Sequence, residues 1–151
     1  MIVCHKIGTE GEFTNTLEEI LAYDGQITFD GAYDSVREHA YELAKREPIM
    51  FVQGDTVGTP GVMSWSEIFE LEEMGFVLGW HGWSHRKLTE LPDHVVIKEL
   101  ENNLKRCRLY AYPHGDFDER TKKLVQDMGY IRAYSTTQGD GSDFAIVREY
   151  L

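Results

Sequence analysis

Two rhythms alternate along the chain. Short apolar runs with little polar alternation fall at Ile2–His5, Gln26–Asp30, Ile49–Gln53, Phe76–Gly79, Arg108–Tyr112 and Tyr130–Tyr134, with a further one at Phe144–Arg148. Such runs read as strands covered on both faces. Between them, apolar residues recur at helical spacing and predict helices near 14–24, 35–46, 64–74, 93–106 and 117–128; Trp65, Ile68, Leu71 and Met74 mark the stripe of the third. Three helices open on a hydroxyl residue with Glu three positions later: Thr16 with Glu19, Ser35 with Glu38, and Ser64 with Glu67. That is the capping-box pattern, in which the two side chains satisfy backbone N–H groups a helix start leaves unpaired. Gly25, Gly75 and Gly129 stand where helices should stop. Strand–helix alternation throughout predicts right-handed βαβ units and a parallel sheet, open or rolled into a barrel. We read residues 1–151 as a single α/β domain without repeats or linkers.

At 151 residues and 42% hydrophobic, the chain can bury a core without disulfides or metals as staples. Its 15 Lys and Arg against 26 Asp and Glu give a net charge of −11, the wrong sign for nucleic acid or an anionic membrane surface. No apolar run approaches a membrane span, and the opening residues show no secretory signal. Cys4 and Cys107 alone make no disulfide framework. The expected location is therefore the cytoplasm. A domain of this size can leave a barrel edge or apolar patch open, so a homo-oligomer is compatible with it.

In folds of this kind ligands collect at the carboxyl ends of the strands. The polar residues concentrate there: His5, Asp30, His81 and His85, and Tyr112-Pro113-His114-Gly115-Asp116. Two histidines four apart can place both imidazoles on one side of a turn, within reach of one metal ion, or can simply be a surface or hydrogen-bonded pair. Asp30, followed by Gly31 and Ala32, presents a carboxylate where small neighbours leave room for a ligand, whereas Asp34 reads as a helix cap. Pro113 and Gly115 fix a turn whose backbone N–H groups can face an oxyanion; the plainer reading is a βα loop capped by Asp116 or Asp118. Tyr33, Trp80, Trp83 and Tyr112 either stack on sugar faces at the mouth or belong to the core.

Taken in order, Thr28-Phe29-Asp30-Gly31, His81-Gly82-Trp83-Ser84-His85 and Ala111-Tyr112-Pro113-His114-Gly115 resemble the three front motifs of the polysaccharide deacetylase family, the NodB-homology carbohydrate esterases. Asp127–Ala133 and the opening Val3–Ile7 are similar to that family as well. The resemblance implies a distorted (β/α) barrel, complete or not, and a metal-dependent hydrolase that removes N-acetyl groups from a sugar or polysaccharide precursor. The alternative is a catalytically degenerate member that binds carbohydrate or a protein partner. It further implies Asp30 as general base, His81 and His85 as ligands of a divalent metal, zinc, and His114 at the motif-three tyrosine position as a catalytic residue. Tyr33, Trp83, Tyr112 and Pro113 would bind substrate, with His5 and Asp116 as the remaining ligand or acid. Three departures stand out. Gly31 replaces the metal-binding Asp, Ala111 replaces an arginine that orients the base in many members, and no late Leu-x-His follows to supply the acid.

Overall fold

A computed structural model describes residues 1–104 and 107–151. In chain order the elements are β1 (Ile2–Cys4), β2 (Lys6–Ile7), β3 (Thr14–Asn15), α1 (Leu17–Ala22), β4 (Ile27–Asp30), α2 (Asp34–Arg37), α3 (Ala40–Ala44) and β5 (Ile49–Val52). There follow α4 (Trp65–Met74), β6 (Val77–Trp80), α5 (Asp93–Leu100), β7 (Leu109–Ala111), α6 (Glu119–Asp127), β8 (Arg132–Ser135), β9 (Ile146–Val147) and β10 (Glu149–Tyr150). Eight strands form one sheet in the order β10-β1-β4-β5-β6-β7-β8-β9, every neighbouring pair parallel.

The two ends of that order are separated in the chain by Arg148 alone. Its N–H donates to the Ser135 carbonyl on β8, and the next N–H, of Glu149, donates to the Met1 carbonyl beside β1. One short segment thus holds both margins of the sheet and draws it round into a nearly closed barrel. Side chains alternate across the wall with the period of two a strand dictates. Ile27 and Phe29 of β4, and Met50 and Val52 of β5, face outward into the large core beneath the helices. Ile49, Phe51, Ala111 and Tyr134 form a separate cluster inside the barrel.

The helices differ in part from expectation. Thr16 and Ser64 form complete capping boxes with Glu19 and Glu67. Ser35 does not: α2 begins beyond Tyr33, and the Ser35 hydroxyl instead accepts the Ile7 N–H, tying α2 to β2. The expected helix at 35–46 is broken at His39, whose backbone leaves the helical region. The expected helix at 14–24 starts later because Thr14 and Asn15 pair with β2. Gly25 is not a helix stop; α1 ends at Tyr23, and Arg46 donates to the carbonyls of Leu21 and Tyr23 at 3.0 and 2.6 Å. Gly75 does end α4, with φ of 118°. Of the two caps offered for the loop before α6, Asp118 is the one formed, in a capping box with Thr121. The helix expected at 93–106 ends at Leu100, and Lys105 and Arg106 at its far end lie outside the described residues.

Because Ser64 closes the start of α4 against the main core, Ser64→Ala should cost about 1 kcal/mol. Urea unfolding will show it as a lowered midpoint at unchanged slope.

Candidate active site

At the carboxyl ends of the strands a cavity of about 360 Å³ opens, lined by His5, Asp30, Tyr33, His81, His85 and His114 among others. These residues follow four different strands, β1, β4, β6 and β7, and the barrel brings them to one place.

Asp30, the last residue of β4, points into the barrel with its side chain only 7% exposed. The Arg148 guanidinium, fully buried, grips it with both prongs, Nη1 to Oδ1 at 2.5 Å and Nη2 to Oδ2 at 2.8 Å. Nη1 also donates to the Thr28 hydroxyl, which donates onward to the Ile2 carbonyl. The guanidinium carbon lies 5.0 Å from the Phe51 ring centre and 6.0 Å from that of Tyr134, so aromatic faces supply the rest of its surroundings. Burial alone would raise the carboxyl pKa; Arg148, then His81, overcome that and hold it down to about 2. Asp30 is therefore an anion at every physiological pH.

His81 follows β6. Its Nδ1 lies 2.8 Å from the Ala111 carbonyl, which can only accept, so Nδ1 carries the proton and Nε2 presents a lone pair. That Nε2 is 3.8 Å from Asp30 Oδ2. Burial lowers the His81 pKa against the pull of Asp30, keeping the ring neutral near pH 7. The His85 ring is 4.8 Å from that of His81 and 4.5 Å from that of His114. Burial and its two imidazole neighbours lower its pKa to about 4. His114 donates through Nε2 to the His85 carbonyl at 3.2 Å, and both residues take left-handed backbone conformations, φ of 60° and 55°. Strain of this kind, on the order of 1–3 kcal/mol per residue, persists only where surroundings impose it. His5 completes the cluster, its pKa also lowered by burial.

Other expected site residues stand elsewhere. Trp83 packs near Trp80, ring centres 6.3 Å apart, and is not part of the cavity lining. Pro113 is buried in the turn and is likewise absent from that lining. Tyr112 does form a wall, but its hydroxyl donates to the Phe144 carbonyl and its ring stacks on Phe117, so no face is free for a sugar. Asp116 accepts from the Thr89 hydroxyl, outside the cavity lining. Tyr33 lines the cavity as expected, with Lys6 Nζ 5.0 Å above its ring.

Two residues that hold the site were not anticipated. Arg148 is one. The other is Glu99 on α5, buried, whose carboxylate accepts the N–H groups of Trp83 and Ser84 at 3.0 and 2.9 Å and the Ser84 hydroxyl at 2.5 Å. It fixes the loop between His81 and His85. The sequence signal for Glu99 is its place beside Val96 and Leu100 on the buried side of α5; for Arg148 it is a cation closing an apolar run.

A parallel barrel with an acid and a set of imidazoles gathered at its carboxyl-terminal mouth has the layout of a barrel enzyme's site. The chain belongs to the polysaccharide deacetylase family, whose sequence pattern matches residues 25–133. It is 30% identical over 90 residues to chitin deacetylase 1 of Cryptococcus neoformans, an alignment covering 54% of this chain and 19% of that protein. The chain spans less than half the length of the curated relatives it matches. Among solved structures it superposes on the Streptococcus pyogenes deacetylase PplD, determined with acetate, at a TM-score of 0.80 and 15% identity, covering 99% of this chain and 90% of that one. IcaB of Ammonifex degensii gives 0.81 at 18% identity with the same coverage. At those identities the superpositions establish the NodB-type fold.

Deacetylases of this family are generally metal-dependent, and a divalent ion at the mouth would need its ligands from the residues gathered there. His81 and His85 offer two neutral imidazoles. Gly31 brings no carboxylate, and a Cβ there would come within 2.6 Å of the Tyr33 ring, on a backbone with φ of 96°. Both oxygens of Asp30 are engaged by Arg148. Among the described residues no group of three or more His, Cys, Asp or Glu is arranged to hold a metal ion. Since a catalytic zinc takes three protein ligands plus water, these residues do not fit one.

The depressed Asp30 pKa has a consequence for stability. An unfolded Asp titrates near 3.9, so the ion pair's contribution is complete above about pH 4 and is lost as pH falls through about 2. The unfolding free energy from urea titrations should drop over that interval by a component, about 2–3 kcal/mol, that Asp30→Asn lacks; parallel profiles for the two proteins would show that Asp30 is not its source.

Proposed function

We propose that the chain is a carbohydrate N-deacetylase, hydrolysing an acetamido group on a sugar to acetate and a free amine. The supporting observation is the pairing of an ionised, buried Asp30 with the lone pair of His81 Nε2, 3.8 Å away, at the floor of a cavity. Two acceptors that close to each other need a donor with two protons between them, and water is that donor. Held so, its remaining lone pairs are free to attack the acetamide carbonyl carbon. The proton it sheds stays with the Asp30–His81 pair, whose negative partner stabilises an imidazolium. Collapse of the tetrahedral adduct breaks the C–N bond, and the departing nitrogen takes the proton that the Asp30–His81 pair received from the water, which restores the pair. Arg148 keeps the Asp30 oxygens in place throughout. Family membership supports deacetylation as the reaction class, and the chain's charge of −11 favours a neutral glycan over a polyanionic one.

A second reading has its own support. The missing carboxylate at Gly31 favours a member that binds an N-acetylated glycan without turning it over. The two separate on one measurement. Acetate should be released from N-acetylated chitooligosaccharide, and Asp30→Asn should slow that release by about 10²–10⁴-fold. Binding of the oligosaccharide with no release above buffer establishes the second reading instead.

A further inference from the structure

Attack of water on an acetamide moves the carbonyl π electrons onto oxygen, and the barrier falls only if that oxygen meets a positive or hydrogen-bonding partner. Asp30 supplies none, being an anion with both oxygens on Arg148. The Nδ1–H of His81 is spent on the Ala111 carbonyl. The residues at the mouth do not fit a zinc ion, so the chain itself has to provide the donor.

Hydroxyl groups in the cavity lining are the natural candidates. Thr56 donates to the Gln53 carbonyl and Tyr112 to that of Phe144, so both are spent. Thr136 lies against Gly115. Tyr33 stands against the backbone that continues from Asp30. A Cβ on Gly31 would meet its Cε2 at 2.6 Å and its Cζ, the carbon bearing the hydroxyl, at 3.2 Å. Tyr23 and Tyr130 engage their hydroxyls with the protein, whereas that of Tyr33 has no hydrogen-bond partner among the described residues. The surrounding backbone is clamped. The N–H of Gly31 donates to the Phe51 carbonyl, that of Asp34 to the Gly61 carbonyl, and that of Met63 to the Ala32 carbonyl, while Tyr33 bridges to Val62. Lys6 Nζ, 5.0 Å from the ring centre, adds a positive charge over its face. A donor fixed before the reaction starts costs no reorganisation during it.

We propose that Tyr33 is a catalytic residue, whose phenol O–H donates to the acetamide oxygen as negative charge gathers there. Its ring fills the place that the family resemblance gives to a metal-binding carboxylate, and the reaction runs without a divalent ion. This deepens the deacetylase reading and rests on it. The water oxygen bonds to the carbonyl carbon while the π pair moves to oxygen, and the phenol keeps its proton throughout. When that pair returns, the C–N bond breaks and the amine leaves with the proton held by Asp30 and His81.

Tyr33→Phe keeps the ring and removes only the donor, so its urea midpoint should match that of the unaltered chain. Its kcat for acetate release from N-acetylated chitooligosaccharide should fall about 10²–10³-fold with KM little changed. Dialysis against a chelator should leave release by the unaltered chain intact. Calorimetry supplies a readout that needs no turnover, with an N-acetylglucosamine analogue whose acetamide is replaced by an anionic, tetrahedral methylphosphonamidate. The unaltered chain should bind the analogue more tightly than N-acetylglucosamine, and Tyr33→Phe should weaken the analogue at least about tenfold while affecting the acetamide less. An unchanged kcat in Tyr33→Phe, equal losses for both ligands, no binding of the analogue, or release lost to chelator and recovered with zinc would each overturn the assignment. Analogue binding that depends on the Tyr33 hydroxyl, with no acetate released by the unaltered chain, would leave Tyr33 as the donor to an anionic oxygen and defeat the deacetylase reading.

Discussion

Everything at the mouth of this barrel depends on one buried ion pair, Asp30 with Arg148. Its two residues are 118 positions apart, and the pair joins the centre of the sheet to the segment where the sheet meets its own far edge. The Arg148 backbone holds β8 and its neighbour holds the chain beside β1, so the side chain that orients the Asp30 carboxylate belongs to the residue that closes the barrel. Burying two charges is expensive, and such a pair persists only where geometry and further hydrogen bonds compensate. Here the fork is bidentate, Thr28 takes another donor, and the rings of Phe51 and Tyr134 cover the guanidinium. Fold closure and site geometry thus meet in one residue, Arg148, through its backbone and its side chain.

The same pair sets the electrostatics of the cavity. Arg148 offsets part of the Asp30 charge, and burial outweighs the pull that remains, so His81 and His85 stay neutral. Neutral rings can accept protons from water or substrate, which charged rings cannot. Tyr33 settles what happens beside Asp30: its ring occupies the space that a side chain at Gly31 would need. The substitution at Gly31 and the position of Tyr33 are therefore one coupled feature rather than an empty ligand position.

The architecture was legible in the sequence because its signals are local. Apolar runs mark β4, β5 and β6 within a residue or two, and the boxes at Thr16 and Ser64 mark two helix starts. Ser35 misled because a hydroxyl three residues before Glu is a cap only if the backbone N–H beyond it is free to meet it, and here the hydroxyl was taken by Ile7. Asp30, His81, His85, His114 and His5 could be read from their places at strand ends. Their partners could not. Ala111 suggested that Asp30 lacked an arginine, yet Ala111 belongs to the inner cluster with Phe51 and Tyr134, the rings that flank the guanidinium arriving from Arg148. A contact between the second main strand and the last residues leaves no local trace. Glu99 escaped for the same reason, since its partners lie 15 and 16 residues away in a loop.

The central claim is that Asp30 and Arg148 act as one unit, and a double-mutant cycle on unfolding free energy at neutral pH tests it most directly. Arg148→Met alone strands a buried carboxylate and should cost about 3–5 kcal/mol, whereas Asp30→Asn with Arg148→Met leaves no charge unpaired. The account predicts a coupling energy above about 2 kcal/mol, with the double variant more stable than the sum of the single losses. Losses that add within about 0.5 kcal/mol would contradict it.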